Sequence, residues 1–125
     1  MRLAIFTGSS PGYDPRYAEA AANFAADLAD GFVALPGGVG TLEEVFEAWT
    51  WLQLGIHAKP VAFLNIGGFW DHLLAGLDGM VDAGFVKEEF RSNLVVAGTA
   101  EELLAALDRW RAPDRKWRAA EVPGT

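Results

Sequence analysis

The residues of this chain best suited to chemistry fall in one run, Pro36-Gly37-Gly38-Val39-Gly40-Thr41-Leu42-Glu43-Glu44. Its glycines allow a tight turn and let an anion come close to main-chain amides. A hydroxyl (Thr41) and a carboxylate (Glu44) follow. The apolar stretch before the run, Phe32 to Leu35, reads as a buried strand. The stretch after it has apolar residues at Leu42, Val45, Phe46, Trp49 and Leu52, at helical spacing. A strand, a glycine loop and a helix in that order offer unpaired amides, at the positive end of a helix dipole, to a phosphate. The expected anchor is Gly37, Gly38 and Gly40 with the Thr41 hydroxyl. Thr41 also reads as the helix cap, with Glu44 completing a capping box. An ordinary turn would use the same glycines.

Two other phosphate motifs are excluded. No Gly-Lys-Ser/Thr follows the glycines, so the loop is not a Walker A. Gly38-x-Gly40 lacks the third glycine of a dinucleotide fingerprint, and Glu43 stands in its place. The loop suits one phosphate better than a pyrophosphate.

The elements around the run repeat its logic. Arg2 to Phe6 reads as a first strand, and Thr7 to Gly12 as a loop of small residues. A helix from Tyr17 to Leu28 follows, opened by Asp14-Pro15. Ser9 and Ser10 suit a phosphate or a sugar, or equally the loop's own backbone groups. Further on, Val61 to Leu64 is a strand and Gly67-Gly68 a turn. Phe69 to Ala83 is a helix with Leu73, Leu77 and Met80 or Val81 inward. Phe85 to Asn93 holds a turn of helix, and Leu94 to Ala97 is a short strand. Thr99 caps a last helix that runs to about Trp110 and ends before Pro113. Alternating strands and helices predict an α/β fold, a Rossmann-like parallel sheet flanked by helices in a single domain. That domain spans residues 1–111, and 112–125 form a loose C-terminal tail. Ligands of such sheets bind beyond the carboxyl ends of the strands. Gly8 to Ser10, Gly37 to Thr41 and Asn65 are expected along that edge.

Composition narrows the partners. The chain has 125 residues, 51% of them hydrophobic, enough for one domain with a core. A net charge of -7 argues against nucleic acid. The absence of cysteine excludes disulfides and thiolate chemistry, and two histidines are too few for a zinc site. No apolar run is long enough to span a membrane, and no signal-peptide layout opens the chain, so the expected location is cytoplasmic.

The string Pro-Gly-Gly-x-Gly-Thr-x-x-Glu, filled by Pro36 to Glu44, resembles the LOG family. Its members are cytokinin riboside 5'-monophosphate phosphoribohydrolases, long labelled lysine decarboxylases. Phe6 to Ser10, Trp51-x-Gln53-Leu54-Gly55-Ile56-His57-x-Lys59-Pro60 and Leu64 to Asp71 also resemble the family, and the likeness reaches to about Trp110. It implies hydrolysis of the N-glycosidic bond of nucleoside 5'-monophosphates such as AMP, releasing a free base and ribose 5-phosphate. It also implies a homodimer built on the central helix, and no cofactor. Glu44 would be the catalytic carboxylate, while Gly8, Ser9, Ser10, Gly37, Gly38, Gly40 and Thr41 would hold the substrate. Glu43 points about 100° away from Glu44 and is expected in solvent or facing a partner. Glu47 is expected to pack or pair, His57 to be structural or at an interface, and Trp49, Trp51 and Leu52 to pack in the core. A pyridoxal enzyme needs a lysine in a prepared pocket, and none of Lys59, Lys87 and Lys116 lies in a glycine loop at a strand end. The runner-up resemblance is to molybdenum-cofactor carriers, which bind a phosphorylated pterin without turnover.

The chain departs from the family in one place. LOG-like proteins carry further chain between the first helix and the strand before Pro36, resembling two βα units of about 60 residues. The family's catalytic arginine and base-holding residues lie there, and no residue of this sequence takes those roles. Either the intact protein has a segment near residues 28–31 that this sequence lacks, or the chain is truly shorter and an inactive remnant. The first is favoured, because losing two units would strip central strands from a sheet whose surviving strands are apolar on both faces and leave buried faces without cover. Nothing local betrays a join, because Gly31 suits a helix C-cap.

Overall fold

The computed structural model describes residues 1–6 and 29–113. The helix expected over Tyr17 to Leu28, the loop with Gly8, Ser9 and Ser10, and most of the C-terminal tail lie outside the described residues.

Short apolar runs make the strands: β1 (Leu3–Phe6), β2 (Gly31–Ala34), β3 (Val61–Leu64) and β4 (Val95–Ala97). The helices are α1 (Val39–Gln53), α2 (Asp71–Asp82), α3 (Glu88–Asn93) and α4 (Ala100–Arg109), and a short 3-10 turn spans Ile66–Gly68. The strands pair in the order β1-β2-β3-β4, all parallel. This is the expected Rossmann-like α/β architecture.

β2 and β3 are buried along their whole length, as near-continuous apolar runs in a parallel sheet should be. Phe32, Ala34, Val61 and Phe63 face a layer built by Val45, Ala48, Trp49 and Leu52 of α1, Leu74 and Leu77 of α2, and Phe90 of α3. Val33, Ala62, Leu64 and Val95 face the other way, toward Leu103 and Leu107 of α4. The core reading of Trp49 and Leu52 holds, and Trp51 is half-buried. No helix of the described residues is long and apolar enough to cross a membrane.

In the shortened region β1 pairs directly with β2, Leu3 beside Gly31 through Phe6 beside Ala34. Ile5, on the strand face of Leu3, is 56% exposed. One expectation there is corrected. Gly31 is not a helix cap but opens β2, where a Cβ would come within 3.1 Å of Pro60 Cγ and 3.3 Å of Leu3 Cδ2.

In α2 Leu77 is buried as expected and Val81, not Met80, is the half-buried member of that pair, while Leu74 is buried where the sequence predicts Leu73, itself half-buried. α4 begins as the sequence predicts: the Thr99 hydroxyl accepts from the Glu102 amide at 3.2 Å, and the Glu102 carboxylate accepts from the Gly98 amide at 3.1 Å. Thr99→Ala is expected to cost about 1 kcal/mol, read as a lower urea midpoint at unchanged m-value.

Candidate functional site

The carboxyl ends of the strands are held side by side by backbone bonds. Leu35 N–H donates to Phe6 O at 3.1 Å, and Asn65 N–H donates to Ala97 O at 2.7 Å. The chain leaving β1 at Phe6 therefore starts beside the glycine loop. Gly8, Ser9 and Ser10, in that continuation, lie outside the described residues. After β3, the Asn65 carboxamide braces the next loop, accepting from Trp70 N–H at 2.6 Å and donating to Asp71 at 2.8 Å.

The glycine loop runs from Leu35 to Gly38 and leads into α1, three residues earlier than a cap at Thr41 predicts. Gly38, not Thr41, is the N-cap, and no side chain caps the helix. The capping-box reading of Thr41 and Glu44 is thereby overturned. The first bond of the ladder is Leu42 N–H to Gly38 O, at 3.2 Å. The amides of Val39, Gly40 and Thr41 stand ahead of it, without an i−4 carbonyl. No acidic residue in the first turn competes for their positive field.

Among the described residues, nothing requires the two glycines that flank Val39: a Cβ at Gly38 or Gly40 would meet none of them within 4 Å, and neither glycine has a positive φ. Both are exposed. Their bareness leaves space above the free amides. Gly37 is half-buried. Thr41 is fully buried, and its hydroxyl has no hydrogen-bond partner among the described residues. A buried hydroxyl is normally paired, so an unpaired one in the first turn fits an absent acceptor.

Glu44 lies four residues beyond Gly40 on the same helix face, about 6 Å along the axis. It is half-buried, whereas Glu43 and Glu47 are exposed. Burial pushes the Glu44 carboxyl up from the ordinary glutamate value, and the charges of Glu43 and Glu47 push it the same way. A carboxylate of raised pKa beside a turn of free amides suits proton transfer.

His57, which the sequence leaves as structural or interfacial, is half-buried behind α1. Its Nε2 lies 2.7 Å from Ala48 O, and its Nδ1 accepts from Lys59 N–H at 3.0 Å. Lys59 leads into the amino end of β3 and Lys87 is the N-cap of α3. Neither lysine is in a loop at the carboxyl edge, so the described residues do not fit a pyridoxal group, and no step is drawn through one.

Comparison with known proteins identifies relatives. A family model described as "Possible lysine decarboxylase" matches residues 17–107. Cytokinin riboside 5'-monophosphate phosphoribohydrolase LOG of Oryza sativa subsp. japonica is 51% identical over 85 residues, covering 68% of this chain and 35% of the relative. A probable enzyme of the same name and organism is 46% identical over 99 residues, covering 74% and 44%. One from Arabidopsis thaliana is 52% identical over 82 residues, covering 66% and 38%. The chain thus spans less than half the length of these relatives.

Proposed function

The chain belongs to the LOG family, and from that membership we propose that it acts on nucleoside 5'-monophosphates such as AMP, hydrolysing the N-glycosidic bond to give free base and ribose 5-phosphate. The observation that carries this reading is the bare first turn of α1, with Glu44 on the same helix face. The phosphate sits against the amides of Val39, Gly40 and Thr41 and accepts from the Thr41 hydroxyl. That anchor sets the ribose along α1 toward Glu44. As the bond from the anomeric carbon to the base nitrogen breaks, its electron pair leaves with the base. The sugar becomes oxocarbenium-like, and the Glu44 carboxylate stabilises it. Water then bonds to the anomeric carbon and gives a proton to Glu44, and Glu44 returns to the carboxylate by passing that proton, through solvent, to the departing base. Gly8, Ser9, Ser10 and Gly37 complete the substrate contacts, and the working form is a cytoplasmic homodimer. Cytokinin nucleotides are the substrate class named for the relatives, and they extend AMP by an N6 substituent.

A second reading rests on one observation. β1 pairs directly with β2 in this chain, and by the resemblance the family's arginine lies in further units between the first helix and β2. In that reading the chain binds a phosphorylated ligand and does not turn it over. One experiment separates the two. The purified chain is incubated with AMP, adenine is followed by chromatography, and ribose 5-phosphate affinity is measured by calorimetry. Release of adenine supports the hydrolase. Binding without release transfers the site to the non-catalytic reading, and failure to bind ribose 5-phosphate removes both.

A further inference from the structure

α1 carries the candidate site on its first turn, yet it has no side-chain cap and no basic residue in its last turn. Buried apolar contacts hold it to the sheet, and such contacts tolerate sliding along a helix axis better than hydrogen bonds do, because they are not directional. The directional link comes from His57. Ala48 O, in the body of α1, can only accept, so Nε2 carries the proton. Lys59 N–H can only donate, so Nδ1 is bare. The two bonds require one neutral tautomer. The ring also lies 5.2 Å from that of Phe32, in the centre of the sheet. One side chain thus ties helix α1, strand β2 and the entry to strand β3.

We infer that His57 is a positioning residue: its two hydrogen bonds set α1 along its axis against β2 and β3, and so fix where Glu44 and the free amides of Val39, Gly40 and Thr41 stand. Ala48 is one helical turn from Glu44, so a slip at Ala48 passes directly to the site. This inference rests on the proposed reading of that turn as the phosphate site, but its first test does not. Burial holds the His57 pKa below its ordinary 6.5, and Lys59 adds to the effect, while the bond to Ala48 opposes it. Lys59 is the charged group acting on the ring, and Ala48 of α1 and Phe32 of β2 bring none. Acid replaces the bare Nδ1 with a second donor facing Lys59 N–H and breaks the link.

The test compares His57→Asn, which keeps an acceptor for Lys59 N–H but cannot reach Ala48, with His57→Gln, whose amide can reach Ala48. Ring nitrogen NMR of the parent chain at pH 7 is expected to show Nε2 protonated and Nδ1 bare. Backbone amide resonances of Val39 to Glu44 are expected to move in His57→Asn and to return toward the parent in His57→Gln. In the parent they are expected to move on acidification with a midpoint below 6.5. Ribose 5-phosphate affinity is expected to fall about three- to tenfold in His57→Asn and to recover in His57→Gln. A parent ring with Nδ1 protonated, or resonances at Val39 to Glu44 that ignore both variants and the acid titration, overturns the inference. Resonances that respond in a chain that binds no ribose 5-phosphate leave the positioning role standing and remove the proposed function.

Discussion

Glu44→Gln is expected to lower the rate of adenine release from AMP by about 10²- to 10⁴-fold, the span over which a positioned acid or base contributes, with little change in ribose 5-phosphate affinity. Glutamine keeps the size and polarity of the side chain but can neither take a proton nor carry charge. The half-buried carboxylate has a raised pKa in the folded chain. The folded state therefore holds its proton more tightly than the unfolded one. Below the ordinary glutamate value both states are protonated and the shift has no effect. As pH rises through the folded pKa, ionisation of Glu44 costs stability, and that cost remains at neutral pH. Glu44→Gln removes it, so the variant is expected to melt no lower than the parent at pH 7. Loss of activity without loss of stability is the pattern of a group kept for chemistry. The acid limb of the parent's pH–rate profile should lie above 4.5, and Glu47→Gln should draw it downward by removing a repelling charge. Unchanged turnover in Glu44→Gln would remove the residue from the mechanism.

Much of this arrangement is legible in residue types. β3 starts and ends where the apolar run Val61 to Leu64 does, because a strand buried on both faces must be apolar throughout. Thr99 caps α4 as its type and spacing predict. Gly55, with φ at 76°, ends α1 where the helical spacing gives out. The start of α1 was not legible in the same way. Thr41 and Glu44 have the spacing of a capping box, and glycine is a poor helix former, so local propensity places the start at Thr41. In the first turn the amides need no partner. The helix reaches back through Gly40 to Val39 and leaves Gly38 as its cap. The burial of Thr41 follows from that extension, since it moves Thr41 from the cap to the inward-facing third position.

Other features depend on chain contacts that a single segment does not encode. Spacing alone marks Leu73 and Leu77 for the core of α2, but the packed core takes Leu74 with Leu77 and leaves Leu73 half-buried. The neighbour of β1 could not be read from residues near Gly31, because parallel pairing is fixed by the crossovers and not by local pattern. His57 offers no periodic signal. Its partners are a carbonyl nine residues back and an amide two residues on, and any side chain of similar polarity would look equally suitable in the sequence.

Gly40→Ala is the substitution in which folding and binding are expected to move in opposite directions. In a helix, alanine is favoured over glycine by up to about 1 kcal/mol. Gly40 lies within α1, has no positive φ, and offers open space to a Cβ. Nothing among the described residues opposes the change, so the variant should unfold at a higher urea concentration than the parent. The added methyl would occupy the space from which the phosphate approaches the amides of Val39, Gly40 and Thr41. Ribose 5-phosphate affinity should fall about tenfold to a hundredfold, or about 1.4 to 2.8 kcal/mol. Gly38→Ala and Gly38→Val add bulk at the cap and should weaken binding in the same way. An ordinary turn predicts the reverse: with no ligand to exclude, a stabler helix would bind as well as the parent or better. Calorimetry with ribose 5-phosphate on Gly40→Ala and Gly38→Val, beside urea unfolding of the same samples, separates the two. Raised stability with unchanged affinity would move the phosphate away from the first turn of α1 and leave the buried Thr41 hydroxyl without its acceptor.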